Sequence, residues 1–158
     1  MKLIKITMNQ TNNFGRIVLL LCALFLGNMT FAQDSMRADE IGNNWTPFTT
    51  IEGVNVSLKK EKVDVGAPDA FTYGMLRFEN TTSNDITIEF LFELQYENGC
   101  VGCGNVEEYR KVVTIPAGAT LEGDASFALP ELTLLINNPY TTDLGAFQSL
   151  KTVQFNIK

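Results

Sequence analysis

From Trp45 onward the chain alternates apolar and polar residues with a period of two rather than 3.6. Ile86, Ile88, Phe90, Phe92, Leu94 and Tyr96 interleave with Thr87, Glu89, Leu91, Glu93, Gln95 and Glu97. Successive strand side chains point to opposite faces, so this pattern predicts a long strand with one buried face and one solvated face. Val54, Val56 and Leu58 repeat it early in the chain, and Val153, Phe155 and Ile157 repeat it late. Leu121, Gly123, Ala125, Phe127 and Leu129 predict a further strand of the same kind. Phe71, Tyr73 and Met75 share one parity, whereas Leu76 and Phe78 take the other. Gly74 lies at the change, which predicts a bulge or bend there.

Turn chemistry punctuates these runs at Thr82-Ser83-Asn84-Asp85, Pro116-Ala117-Gly118 and Asn137-Asn138-Pro139. Leu132 to Ile136 reads as a short strand or one helical turn. About seven short strands separated by turns, with no helix of three turns, predict an all-β fold. A single antiparallel β-sandwich of immunoglobulin or fibronectin III type fits best, with a jelly roll as the alternative.

The first 32 residues follow a different plan. Lys2, Lys5 and Arg16 form a basic lead, Ile17 to Leu26 is an unbroken apolar run, and Thr30-Phe31-Ala32 ends on a small residue. That is the layout of a secretory signal cleaved after Ala32. The run is shorter than the roughly 17–25 residues of a membrane-spanning helix, so no transmembrane segment is expected. Residues 33–44 are polar and aperiodic, and read as a flexible leader before a domain at 45–158. Within the leader, Asp34-Ser35-Met36 resembles a short O-glycosylation motif of exported Bacteroidetes proteins, although an ordinary linker explains it as well. The expected location is the periplasm, the cell surface or the medium.

Charge and composition remove several function classes. All 18 acidic residues, but only 9 of the 12 basic ones, follow Ala32, so the mature chain carries about −9. An acidic surface without a basic stripe repels phosphate backbones, which argues against nucleic-acid binding. The chain has no histidine. It therefore lacks the commonest general acid–base residue, the commonest metal ligand and every Ser-His or Cys-His nucleophile pair. No enzymatic activity and no cofactor are expected.

The run into Phe78-Glu79-Asn80-Thr81-Thr82, the alternating strand Ile86 to Tyr96, and Ile115-Pro116-Ala117-Gly118-Ala119-Thr120-Leu121 resemble many exported Bacteroidetes proteins with an immunoglobulin-like domain. The resemblance covers most of residues 54–158 and rests on turn chemistry. It implies a fold and an exported location, and it assigns no activity and no catalytic residue.

Two cysteines remain once Cys22 leaves with the signal. Cys100-Val-Gly-Cys103 lies between two predicted strands, and the ends of a four-residue turn are close enough for a disulfide. A structural disulfide is the favoured reading in an oxidising compartment. A thiol–disulfide role is the alternative, though Glu97, Glu107 and Glu108 would disfavour a reactive thiolate. Soft-metal capture would rest on two thiolates without an imidazole, and no metal is expected. Glu89, Glu93 and Glu97 share a strand's polar face at about 13 Å spacing, too wide for a glycosidase pair within one strand, and read as a solvated face. Trp45, Phe48, Tyr109 and Tyr140 fall at predicted edges or loops. Trp45 and Tyr140 are candidate ligand-binding residues, because exposed rings stack on sugars or anchor partners, although burial of Trp45 as a cap on one end of the core is the favoured reading. The expected function is a binding module for a protein or cell-envelope partner, with glycan binding as the alternative.

Overall fold

The computed structural model describes residues 35–64, 66, 68–104, 107–140 and 143–158, with the backbone alone for Val153. The expected signal and Asp34 lie outside the described residues. Ten strands run in chain order: β1 (Ser35–Arg37), β2 (Thr46–Ile51), β3 (Val54–Val63), β4 (Phe71–Asn80), β5 (Ile86–Tyr96), β6 (Cys100–Val101), β7 (Lys111–Ile115), β8 (Thr120–Glu122), β9 (Thr133–Asn137) and β10 (Phe147–Ile157). They form two antiparallel sheets. One is ordered β1-β10-β5, with β6 and β7 both along the far side of β5; the other is β2-β3-β4, with β8 and β9 both along the far side of β4. Among the described residues no helix is long and apolar enough to cross a membrane.

The period-two pattern sets which residues meet between the sheets. Ile86, Ile88, Phe90, Phe92 and Leu94 of β5 join Val54, Val56 and Leu58 of β3 and Leu76 and Phe78 of β4 in one buried cluster. Its centre is aromatic, with Phe78 and Phe90 ring centroids 5.2 Å apart, Phe90 and Phe155 5.8 Å apart, and Phe48 and Phe92 5.9 Å apart. Offset or edge contacts at such spacings add to the free energy of burial. Phe48, which sequence reading places at an edge or loop, is a core residue. A register shift in β2 between Pro47 and Thr49 lets the strand aim that ring inward.

Bulges keep the remaining strands in phase with the core. On β10 the register moves from Thr152 opposite Phe92 to Gln154 opposite Leu91, so Val153 is an extra residue. That step flips parity, so Leu150 before it and Phe155 and Ile157 after it all pack on the same core. The bulge expected at Gly74 lies instead on the neighbouring strand. The β3–β4 register is continuous through Gly74, whereas β9 advances from Asn137 to Leu135 while β4 advances from Thr72 to Tyr73. Ile136 is the extra residue, and a Cβ on Gly74 would stand 3.0 Å from its Cδ1. Gly74 is the seat for the bulged side chain.

Two other expectations are corrected. The proposed flexible leader is part of the sandwich: β1 pairs with β10, Met36 opposite Leu150, and Met36 and Ile41 are each only 1% exposed. Two isolated apolar residues in a polar stretch give no periodicity, so the burial left no sequence pattern. The strand expected over Leu121 to Leu129 stops at Glu122. Asp124 Oδ1 accepts the Ser126 N–H at 2.7 Å, and Phe127 takes the left-handed conformation at φ 56°, so the chain turns away. The segment Leu132 to Ile136, read as strand or helical turn, contains the end of one 3₁₀ turn (Pro130–Leu132) and then β9.

The turn motifs Asn80-Thr81-Thr82 and Pro116-Ala117-Gly118 pack against each other. Asn80 is buried, and its side-chain amide donates to the carbonyls of Asn84 (2.8 Å), Ile115 (3.1 Å) and Pro116 (3.1 Å). Its Oδ1 accepts from the Thr82 N–H and hydroxyl at 2.9 and 2.8 Å. Asp85 accepts the Ala117 N–H, and Gly118 donates to the Thr82 carbonyl. One amide thus ties the β4–β5 turn to the β7–β8 corner. Asn80→Ala should cost about 3 kcal/mol, because it strands buried backbone carbonyls as well as losing its own bonds. Urea midpoints of the two proteins measure this, and a loss below about 1 kcal/mol would show that the corner holds without it.

Candidate functional site

The gap between the sheets is not closed along its whole length. β7 pairs with β5 only over Ile86–Phe90, and β6 pairs only at Leu94–Gln95. Between those stretches no described residue pairs with β5, and Glu107–Tyr109 form a 3₁₀ turn instead. The inward row Phe90, Phe92, Leu94 and Tyr96 therefore lines an open cleft of about 360 Å³. Leu134 and Ile136 of β9 form the opposite wall. Val101 and Leu144 also line it, while Tyr109, Lys111, Thr133, Leu135, Asn137 and Asn138 contribute its more polar or exposed positions. Tyr109 and Leu135 are 39% and 40% exposed, so apolar surface continues to the opening.

Specific contacts hold the walls apart at a fixed width. Tyr96 donates from its hydroxyl to the Leu135 carbonyl at 3.2 Å, a strut from one sheet to the other, and burial raises its pKa above the ordinary phenol value. Its ring meets Phe147 edge-on at 5.7 Å. The loop before β10 is pinned beneath it, with Asn98 N–H on the Leu144 carbonyl and Glu97 N–H on the Ala146 carbonyl, both at 2.9 Å. These bonds place Leu144 at one end of the cleft.

Cys100 and Cys103 are disulfide-bonded, with Cα atoms 5.8 Å apart, inside the range a disulfide requires. Gly102 makes the turn possible at φ 79°; a Cβ there would also stand 2.6 Å from the Phe92 carbonyl oxygen. The Gln95 amide donates to the two sulfurs at 3.3 and 3.2 Å and to Glu93 Oε2 at 3.3 Å. Glu93, Cys100 and Cys103 have potential ligand atoms within 4.8 Å of one another. With the sulfurs bonded to each other, the carboxylate is the ionic ligand left in that group. The neighbouring residue Val101 lines the cleft, so the clamp helps to set the position of its wall.

Glu89 departs from its expected place on a solvated face. It is 7% exposed and ion-paired to both Arg110 and Lys158, and Arg110 also reaches Glu107 at 3.1 Å. Hydrogen bonds from Lys158 and then Arg110 hold its carboxyl below the usual glutamate pKa. The three groups tie the C-terminal end of β10 and the segment entering β7 to the middle strand β5. Glu93 is half-buried and Glu97 exposed, so the three glutamates do not form one catalytic group.

The aromatic candidates separate. Trp45 is half-buried on the outer face of the second sheet, with the Lys59 ammonium 4.9 Å and the Arg77 guanidinium 4.4 Å from its ring centroid. It does not cap the sandwich core. Tyr140 is 52% exposed, lies 5.8 Å from the Phe71 ring, and accepts the Asp69 N–H at 3.1 Å. Arg77 and Phe71 are six positions apart on β4, roughly 20 Å, so the two rings mark separate places rather than one platform. The cleft was missed by sequence reading, although one sign of it was present: Lys111 shares the inward parity of Val113 and Ile115.

Because the Glu89 pKa is depressed in the folded state, its contribution to stability is complete above the ordinary value of 4.5 and is lost as pH falls below it. Glu89→Gln should therefore be less stable than the parent at neutral pH, with the gap narrowing as the pH is lowered. Denaturant midpoints across that range check the sign, and a gap independent of pH would contradict it. Comparison with known protein families, with curated proteins and with solved structures found no match.

Proposed function

We propose that the chain is a non-enzymatic, exported binding module with an immunoglobulin-like sandwich, and that it takes an apolar component of the cell envelope into the cleft between β5 and β9. The cleft carries this reading. Ligand sites are typically concave, mostly apolar and roughly 300–1,000 Å³, with a few polar groups at defined places. This one measures about 360 Å³ and is walled by Phe92, Leu94, Leu134 and Ile136.

The reactive groups support a binding role over catalysis. The two sulfurs are bonded to each other, and Glu89 is neutralised by two cations. A thiol–disulfide function would first have to open the clamp that supports the cleft wall. Sugar stacking draws less support, since cations already occupy the surroundings of the Trp45 ring and Tyr140 is remote from it.

A neutral solvatochromic dye tests the cleft without testing charge recognition. One dye per chain should bind with blue-shifted emission. Leu134→Trp, which fills the wall, should weaken binding at least about tenfold while the denaturant midpoint confirms a folded protein. Absence of dye binding, or binding unaffected by Leu134→Trp, would count against the cleft as the functional surface.

A further inference from the structure

Lys111 breaks the inward row of its own strand. On β7 the residues facing the sandwich interior are Lys111, Val113 and Ile115, opposite Phe90, Ile88 and Ile86 respectively. Lys111 is half-buried and lines the cleft, where among the described residues it is the one charged side chain. Among the described residues its ammonium has no carboxylate within ion-pairing distance, although the chain carries more acidic than basic residues. A lysine stem can cover apolar surface while its head reaches water, but this does not require an inward position beside an open cleft. A lone cation at the border of an apolar cavity is complementary to a ligand that is both aliphatic and anionic.

We infer that the cleft binds a free long-chain aliphatic carboxylate, with its hydrocarbon between β5 and β9 and its carboxylate on Lys111. This rests on the cleft being the binding site. Several features select that chemistry. The walls made by Phe92, Leu94, Leu134 and Ile136 are apolar and match a hydrocarbon chain, while the polar lining residues Lys111, Asn137 and Asn138 match a single headgroup. A single ammonium balances a single negative charge, whereas a dianionic phosphate would leave an excess charge against an acidic protein. Asn137 and Asn138 also line the cleft, and their amide N–H groups can supplement the lysine without adding charge. The carboxylate therefore meets a charge-assisted donor at the border of an apolar cavity, where such bonds are strongest.

The test uses dodecanoate and dodecanol at concentrations below aggregation, titrated calorimetrically into the full folded protein, Lys111→Met and Lys111→Arg. Dodecanoate should bind the parent roughly 10- to 100-fold more tightly than dodecanol, the range of one charge-assisted hydrogen bond. Lys111→Met should bring the two ligands to similar affinity while keeping dodecanol binding, and Lys111→Arg should restore much of the difference. Equal affinity for both ligands in the parent would overturn the carboxylate assignment and leave the cleft standing. A preference that survives in Lys111→Met would overturn the role of Lys111. Failure of both ligands to bind would remove the cleft reading itself. Lys111-dependent sedimentation with anionic phospholipid vesicles that free dodecanoate does not compete away would replace the free amphiphile with a membrane surface, and so overturn the inference.

Discussion

The inward row of β5 is the constraint on which the rest of the molecule depends. Its first part, Ile86 to Phe92, packs with Val54, Val56, Leu58, Leu76 and Phe78 of the opposite sheet and builds the aromatic centre of the core. Its second part, from Phe90 through Leu94 to Tyr96, carries the same apolar chemistry along the cleft, whose other wall is Leu134 and Ile136 of the opposite sheet. Core and cleft are thus overlapping stretches of one strand face, with Phe90, Phe92 and Leu94 belonging to both. Phe90, Phe92, Leu94 and Ile136 line the cleft and are still buried, so the apolar surface left to water there is mainly that of Tyr109 and Leu135. Met36 and Ile41 from the N-terminal segment, the Asn80 corner and the Glu89 pairs add further ties that hold the two sheets and their connections in place.

The outer face of β5 is organised to serve its inner face. Glu89 draws in Arg110 and Lys158, so the segment entering β7 and the end of β10 are both referred to the same strand. Further along, Gln95 bonds the sulfurs of the Cys100–Cys103 clamp while the neighbouring Val101 faces the cleft. Polar contacts on one side of the strand therefore help to position apolar walls on the other. In this arrangement the disulfide is a constraint on shape, and its chain-entropy contribution of about 1.9 kcal/mol for so short a loop is a modest part of stability.

What the sequence made legible was the strand that obeys a simple period. β5 alternates throughout except at Leu91, and β3 alternates over Val54 to Leu58, so their inward faces could be assigned from the pattern. β10 could not be followed through, because the extra residue Val153 reverses parity between Leu150 and Phe155. Gly74 was recognisable as a special position, but its cause is the side chain of Ile136 on another strand, information that no local window contains. Met36, Ile41 and Phe48 are likewise buried by tertiary partners rather than by neighbours in sequence. The alternation after Leu121 misled for the opposite reason, since the Asp124–Ser126 turn overrides it. The clamp was legible from the Cys100–Cys103 spacing taken together with the expected oxidising compartment. The cleft was not, because an opening between two sheets depends on where β7 stops pairing, and only the inward parity of Lys111 hinted at it.

The most direct measurement is a set of intermolecular nuclear Overhauser effects between bound dodecanoate and methyl-labelled protein. The structure requires contacts from the aliphatic chain to the methyls of Leu94, Leu134 and Ile136, with none to Val54 or Val56 in the closed part of the core. Contacts confined to the Phe71–Tyr140 surface, or a saturated complex with no contact to either wall of the cleft, would contradict the account.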